Sequence, residues 1–164
     1  MILRQATAAD VPQIGQLFYD TISQVNSRDY TPAQVEAWRA GWLNTASWLA
    51  KLDAQYFLVA GEADGSLAGF GYLCPTSGLL DFLFVSARHQ RQGVAQELLK
   101  TLLNRAVSLG LSVVHTNASV TAQPFFERQG FVVERAQQIV VRGVELSNYR
   151  MVKHLAVPSL HTHS

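Results

Sequence analysis

The chain has 164 residues, 48% of them apolar and 15% charged, a balance that describes one globular domain with its own core and excludes a disordered chain. A formal net charge of +1 gives no global attraction to nucleic acid, and with no basic stripe or recognition module that class is not expected. Cys74 is the single cysteine, so neither an intramolecular disulfide nor a cysteine cluster for zinc is available, which suits a reducing compartment. The opening Met1-Ile2-Leu3-Arg4 lacks a signal-peptide core, and no apolar run approaches bilayer length. A cytoplasmic protein without membrane contact is the expectation.

Residues 2–5 are predicted as a first strand. A helix follows from Asp10, with Gln13 as its capping-box partner, Pro12 tolerated in the first turn, and an apolar stripe of Val11, Ile14, Leu17, Phe18 and Ile22. A second helix starts at Thr31, which forms a capping box with Gln34 and puts Pro32 at the first helical position. Residues 44–52 make a further helical segment carrying Trp48, Leu49 and Leu52. From Gln55 the pattern changes to strands at 56–61, 68–74 and 79–85, the first two joined as a hairpin at Asp64-Gly65. A long helix then carries Val94, Leu98, Leu99, Leu102, Leu103, Ala106 and Leu109 before Gly110 stops it. Residues 112–116 form a strand and 121–129 a short helix closed by Gly130. The segments 131–134 and 138–152 supply the last strands, turning at Arg142-Gly143. This order gives an α/β sandwich around one mixed sheet. One domain covers 1–155, and 156–164 is a polar tail. Its His161 and His163 close no coordination shell alone, so no metal is expected.

The stretch from 79 to 109 runs strand, turn and helix with no spare residues. Gly93 and Ala95 keep side chains out of the turn, so successive backbone N–H groups at the helix start can point at an anion, a pyrophosphate site. The spacing matches neither common nucleotide loop. Gln90-Arg91-Gln92-Gly93-Val94-Ala95 instead resembles the acyl-CoA loop of the GNAT superfamily of N-acetyltransferases, Gln/Arg-x-x-Gly-x-Gly/Ala. Residues 4–10 are similar to that family's opening strand and helix entry, and 122–131 (AQPFFERQGF) to its fourth helix. A narrower likeness to the YafP-like bacterial branch rests on Tyr30-Thr31-Pro32-Ala33-Gln34, Ala37-Trp38 and Phe125-Phe126-Glu127-Arg128.

The resemblance implies a mostly antiparallel sheet flanked by helices, with a cleft where the fourth and fifth strands splay apart. It implies an N-acetyltransferase in which a primary amine of a small molecule or peptide attacks acetyl-CoA directly in a ternary complex. The pyrophosphate would lie on the N–H groups from Arg91 to Gln96, with Gln90 opening the loop. The pantetheine arm would pair with backbone freed by a bulge at Leu83, Phe84 and Val85, and one freed N–H would serve as an oxyanion donor. The pantetheine-contacting asparagine of the family is displaced: Ser119 holds its spacing, and Asn117 lies two residues earlier. Phe126 stands where many members carry the tyrosine that protonates the leaving sulfur, and phenylalanine has no proton to give.

An alkylammonium with a pKa of about 10.4 must lose a proton before it attacks. Alternation puts Asp81 on the face of Leu83 and Val85, opposite Phe82 and Phe84, where it either takes that proton, orients the amine or bonds a neighbouring strand. His115 is a second base candidate, its unperturbed pKa of about 6.5 suiting neutral pH, or else a packed strand residue. Tyr72, Tyr149 or solvent stand as candidate acids. Tyr30, Trp38, Trp42 and Trp48, with Asp29 and Glu36 nearby, either line an aromatic mouth for a cationic amine, with Tyr30, Trp38 and Asp81 as the substrate contacts, or pack helices. A CoA-binding regulatory module without turnover is the rival reading, and a homodimer is left open.

Overall fold

Strand pairing divides the chain into two antiparallel sheets. In the computed structural model, which describes residues 1–156, β1 (Ile2–Gln5), β2 (Tyr56–Gly61), β3 (Leu67–Leu73) and β4 (Leu80–Val85) pair in the order β1-β2-β3-β4. The second sheet runs β5-β7-β6, from β5 (Val113–Ser119), β6 (Val132–Val141) and β7 (Val144–His154). The expected single sheet is therefore split. Among the described residues β4 meets β5 through one parallel bridge, Leu79 to His115, where the His115 N–H donates to Gly78 O at 3.1 Å. Gly78 makes that closed end possible: its φ is +78°, and a Cβ there would lie 2.8 Å from Val113 O. Beyond it the strands diverge, which is the splay the resemblance implies. The histidines at 161 and 163 lie outside the described residues.

Helices cover both faces of the first sheet because its strands alternate apolar residues to both sides. Leu58 and Ala60 of β2 face a core built on Leu98, Leu99, Leu102 and Ala106 of α4 (Val94–Ser108). Phe57 and Val59 face the opposite core, formed with Val11, Ile14, Leu17, Phe18 and Ile22 of α1 (Val11–Gln24). The predicted stripes are thus the buried faces, apart from Leu109, which is 40% exposed just past the end of α4. Helix α2 (Pro32–Arg39) has the predicted capping box, with the Gln34 N–H donating to Thr31 Oγ1 and the Thr31 N–H to Gln34 Oε1. Helix α3 (Thr45–Ala54) starts where the Ser47 N–H donates to Asn44 Oδ1.

At α1 the prediction is corrected. Asp10 does not pair with Gln13; its carboxylate turns back to accept the Thr7 N–H and both Nη groups of Arg4 at 2.8 Å, and this holds its pKa below the ordinary value. The box sits one turn earlier, around a short 3-10 turn at Ala8–Asp10, and Gln13 reaches Gly65 O instead. Strand β5 runs on past 116 to Ser119, and β6 is continuous, with a register shift between Val133 and Arg135 in place of a break. Arg142 and Gly143, both with positive φ, make the two-residue turn to β7. The short helix α5 (Gln123–Arg128) ends before Gly130.

Candidate active site

The splay opens a cleft of about 1010 Å³ between β4 and β5, walled by the start of α4, by α5 and by the α1–α3 side. Strand β4 is irregular where it enters. Phe84 pairs with Phe70 and Asp81 with Tyr72, so Phe82 and Leu83 together oppose Gly71 alone, a bulge that puts Phe82 at φ +54°. The bulge lies at 82–83 rather than over 83–85, and it overturns the alternation argument. With one extra residue the parity shifts: Asp81 shares a face with Tyr72 and Phe84, toward α1 and α3, while Leu83 and Val85 face the α4 core. Past the bulge, Ser86 N–H bonds Ala68 O of β3. By strand alternation Phe84 also points its backbone groups at β3, whereas Leu83 and Val85 turn theirs toward the open edge. Val85 O there accepts from Gln90 Nε2 at 2.6 Å, which ties the loop to the strand.

The loop itself turns through two left-handed residues, Arg91 at φ +62° and Gly93 at +80°. A Cβ on Gly93 would meet nothing within 4 Å, so glycine is there for the backbone and leaves open space above the helix end. Glu97 N–H is the first to find an intrahelical acceptor, Gly93 O, and no side chain caps the end. The N–H groups of Val94, Ala95 and Gln96 are left to an outside acceptor at the positive end of the helix dipole. Gln90, Arg91, Gly93, Val94, Ala95, Gln96, Ser119 and Phe126 all line the cleft, but Gln92 does not; it turns back to Arg88 O. Ser119 Oγ accepts from Ala122 N–H and Asn26 Nδ2. Phe126 is buried between Phe125 and Phe131, ring centroids 5.4 and 5.1 Å away. These features fit an acyl-CoA: free donors for its phosphates and an open strand edge for its amide arm.

Across the bulge lies the face of the cleft toward α1 and α3. Asp81 lies half-buried on the cleft wall, and desolvation there pushes its pKa up to about 6, against the Phe82 N–H donated to Oδ1 and the nearby charge of Lys51. The Lys51 ammonium donates to Ser47 Oγ at 2.7 Å and sits 5.1 and 5.7 Å from the ring centroids of Phe82 and Trp48. Burial lowers its pKa and Asp81 raises it again in part. Tyr30 and Trp38 line the cleft, edge to face at 5.3 Å. The Tyr30 hydroxyl is already committed: it donates to Ser147 O at 2.7 Å and accepts the Val120 N–H at 2.9 Å.

The other sequence candidates fall elsewhere. His115 sits at the closed end opposite Val152, off the cleft wall, its pKa lowered by burial and by the Arg150 charge against Glu134. Tyr72 is buried against Phe82, its phenol pushed well up by burial and then by Asp81. Tyr149 packs on the α4-side core. Neither lines the cleft, so of the chain's 5 tyrosines Tyr30 alone does. Asp29 holds Thr121 Oγ1, and neither it nor Glu36 reaches the wall, which leaves Asp81 as its acid. Lys51 was missed in the sequence, as were Thr21 and Asn26, whose Oγ1 and Oδ1 are buried without partners, and Gln137 and Asn148, which form a set with Asn117. They come from separate elements and share no local spacing.

A splayed pair of sheets, a glycine-turned helix start and an open strand edge define an acyl-CoA-dependent transferase of the GNAT type. The profile of the family described as acetyltransferase (GNAT) domain matches residues 26–153. The chain is 30% identical over 149 residues to the N-acetyltransferase YafP of Escherichia coli, covering 91% of this chain and 93% of that one. A GCN5-related N-acetyltransferase from Rhodopseudomonas palustris superposes with a TM-score of 0.88 at 28% identity, over 94% of this chain and 95% of that one. The PaiA N-acetyltransferase of Thermoplasma acidophilum, solved with coenzyme A, superposes with a TM-score of 0.77 at 17% identity, over 94% and 98%. The chain belongs to the GNAT acetyltransferase family and is an N-acetyltransferase. No helix among the described residues is long and apolar enough to cross a membrane.

Proposed function

We propose that the chain transfers the acetyl group of acetyl-CoA to a primary amine of a small molecule or peptide by direct attack within a ternary complex. Acetyl-CoA supplies an activated thioester. The N–H groups of Val94, Ala95 and Gln96 hold its phosphates, and Arg91 adds charge beside them. Leu83 and Val85 offer unpaired backbone groups to the pantetheine arm, and the Leu83 N–H, next to the bulge, is the donor for the thioester oxygen. Asp81 faces the acceptor side of the same cleft and takes the ammonium proton, its value of about 6 leaving it ionised at neutral pH yet basic enough to accept. Phe126 gives the leaving thiolate no proton; with a thiol pKa of about 8.5, the sulfur leaves near neutrality and is protonated by water. Tyr72 and Tyr149 are off the cleft wall, which supports solvent over either of them.

The observation that carries this reading is the free helix end at Gly93 facing the open β4 edge in one cleft. Gly93→Glu forces a side chain into a left-handed position and sets a carboxylate against the phosphates. Calorimetric titration is expected to show acetyl-CoA affinity at least about tenfold weaker, a loss of about 1.4 kcal/mol; a folded variant with parental affinity removes the donor assignment. Phe126 favours one rival, a CoA-binding module with little turnover. Thiol release over an amine panel separates the two, since the rival binds acetyl-CoA and releases nothing above the rate without amine.

A further inference from the structure

We propose that Lys51 is a self-acetylation site: its Nζ takes the acetyl group from acetyl-CoA bound in the cleft of the same molecule. The inference rests on the donor site proposed above. Lys51 lines the same cleft as the Gln90–Gln96 turn and the free β4 edge, so this amine and the donor's reacting end share one space. Its Nζ lies 5.1 Å from the centroid of the Phe82 ring, and Phe82 is the bulge residue directly before Leu83, whose N–H faces the open edge. The carboxylate of the cleft lining is that of Asp81, whose charge acts on Lys51 and which is assigned above to deprotonate the acceptor.

Each requirement of an acceptor amine is met by a side chain of the protein. The ammonium is held in place by Ser47 Oγ and the faces of Phe82 and Trp48, which counts as orientation toward the bulge. Burial disfavours its charged form, enlarging the neutral fraction that can attack. In the step itself the Lys51 ammonium passes a proton through water to the Asp81 carboxylate, whose charge acts on it without a direct hydrogen bond, and the neutral Nζ forms a C–N bond to the acetyl carbonyl. The C–S bond breaks, CoA leaves as a thiolate that takes a proton from water, and the second amine proton is lost to solvent. The product is an uncharged amide. It removes the cation that faces Asp81 and fills the space over Phe82 and Trp48, so modification blocks the acceptor side while leaving the phosphate cradle intact.

The other lysines serve as controls within the same molecule, because Lys100 is exposed on α4 and Lys153 is held by Gln129 O. The folded protein is incubated with acetyl-CoA and no amine, then digested and read by mass spectrometry over time. Lys51 is expected to gain one acetyl group at least tenfold faster than Lys100, and urea-unfolded protein to lose that selectivity. Asp81→Asn is expected to slow Lys51 labelling at least tenfold with Lys100 unchanged, and excess coenzyme A to suppress Lys51 labelling alone. Equal labelling of Lys51 and Lys100, or a Lys51 rate unaffected by coenzyme A, means solution chemistry and overturns the proposal. A chain that binds acetyl-CoA by calorimetry and leaves Lys51 unmodified overturns it while sparing the proposed function. A chain that binds no acetyl-CoA overturns both.

Discussion

Asp81 carries the largest electrostatic cost on the cleft wall, and the cost has a sign that can be followed. Its pKa of about 6 in the fold stands above the ordinary 3.8, so between those values the folded chain retains a proton that the unfolded chain has released. Stability therefore falls as pH rises through that window and stays lower above it, by up to about 3 kcal/mol at the full difference. Asp81→Asn, neutral throughout, is expected to melt near the parent at pH 4 and above it at pH 8. The same variant is expected to lose the rising limb near pH 6 in the rate against pH and at least about tenfold in turnover, with acetyl-CoA affinity little changed. Identical melting profiles for parent and variant across that range would show that the carboxylate is not desolvated in the fold. The Phe82 N–H, and after it the Lys51 charge, keep the Asp81 value from rising further.

Among the elements, β4 decides the site, and Gly69 of β3 decides where β4 runs. A Cβ on Gly69 would stand 2.8 Å from Phe84 O and 3.2 Å from both Leu98 Cδ1 and Val85 Cγ2. The carbonyl cannot swing away as a side-chain tip can, so Gly69→Ala must displace the strand at the residues that present the open edge. A stability loss of about 1–3 kcal/mol is expected, with weaker acetyl-CoA binding measured on the folded fraction; parental affinity would mean that the edge does not hold the donor. The bulge beside it also explains what the sequence could and could not disclose. Alternation is a local rule, and it put Asp81 on the wrong face because nothing in Leu80-Asp81-Phe82-Leu83 announces an inserted residue; the vacancy that admits it is Gly71, on another strand. Signals carried within one element were legible: the α4 stripe, the Thr31 box, the Arg142-Gly143 turn and the loop from Gln90 to Ala95. The Asp10 box failed by one turn because Thr7 and Arg4 compete for the same carboxylate. Lys51, Asn26 and Asn148 had no local signal at all, since only tertiary packing brings them to one wall.

At the scale of the whole molecule, two sheets joined at one bridge need something to set their opening angle, and the helical side supplies it. Gln34 Nε2 reaches Glu145 O, Arg142 Nη1 reaches Ala37 O, and Asn26 bonds Ser119, all running between the α1–α2 region and the second sheet. Tyr30 is the strongest of these braces, because its one hydroxyl spans Ser147 O of β7 and Val120 N–H after β5. Burial raises its pKa, so it stays a neutral donor at any working pH. Tyr30→Phe keeps the ring against Trp38 but leaves a backbone donor and an acceptor unpaired in the cleft wall, at a cost of about 1–3 kcal/mol where water does not replace the hydroxyl. The expected signature is local as well as global: a lower melting temperature, and faster hydrogen exchange at the Val120 amide while amides of the β2–β3 ladder keep their protection relative to the new global stability. Gln34→Ala, which removes an exposed brace together with half of the Thr31 capping box, is expected to lower the melting temperature while leaving exchange at the Val120 amide at its parental protection relative to global stability. Unchanged exchange at Val120 in Tyr30→Phe would mean that the splay is held by the sheets themselves, and that the tyrosine's place in the cleft is to meet the acceptor rather than to set the width of the opening it enters.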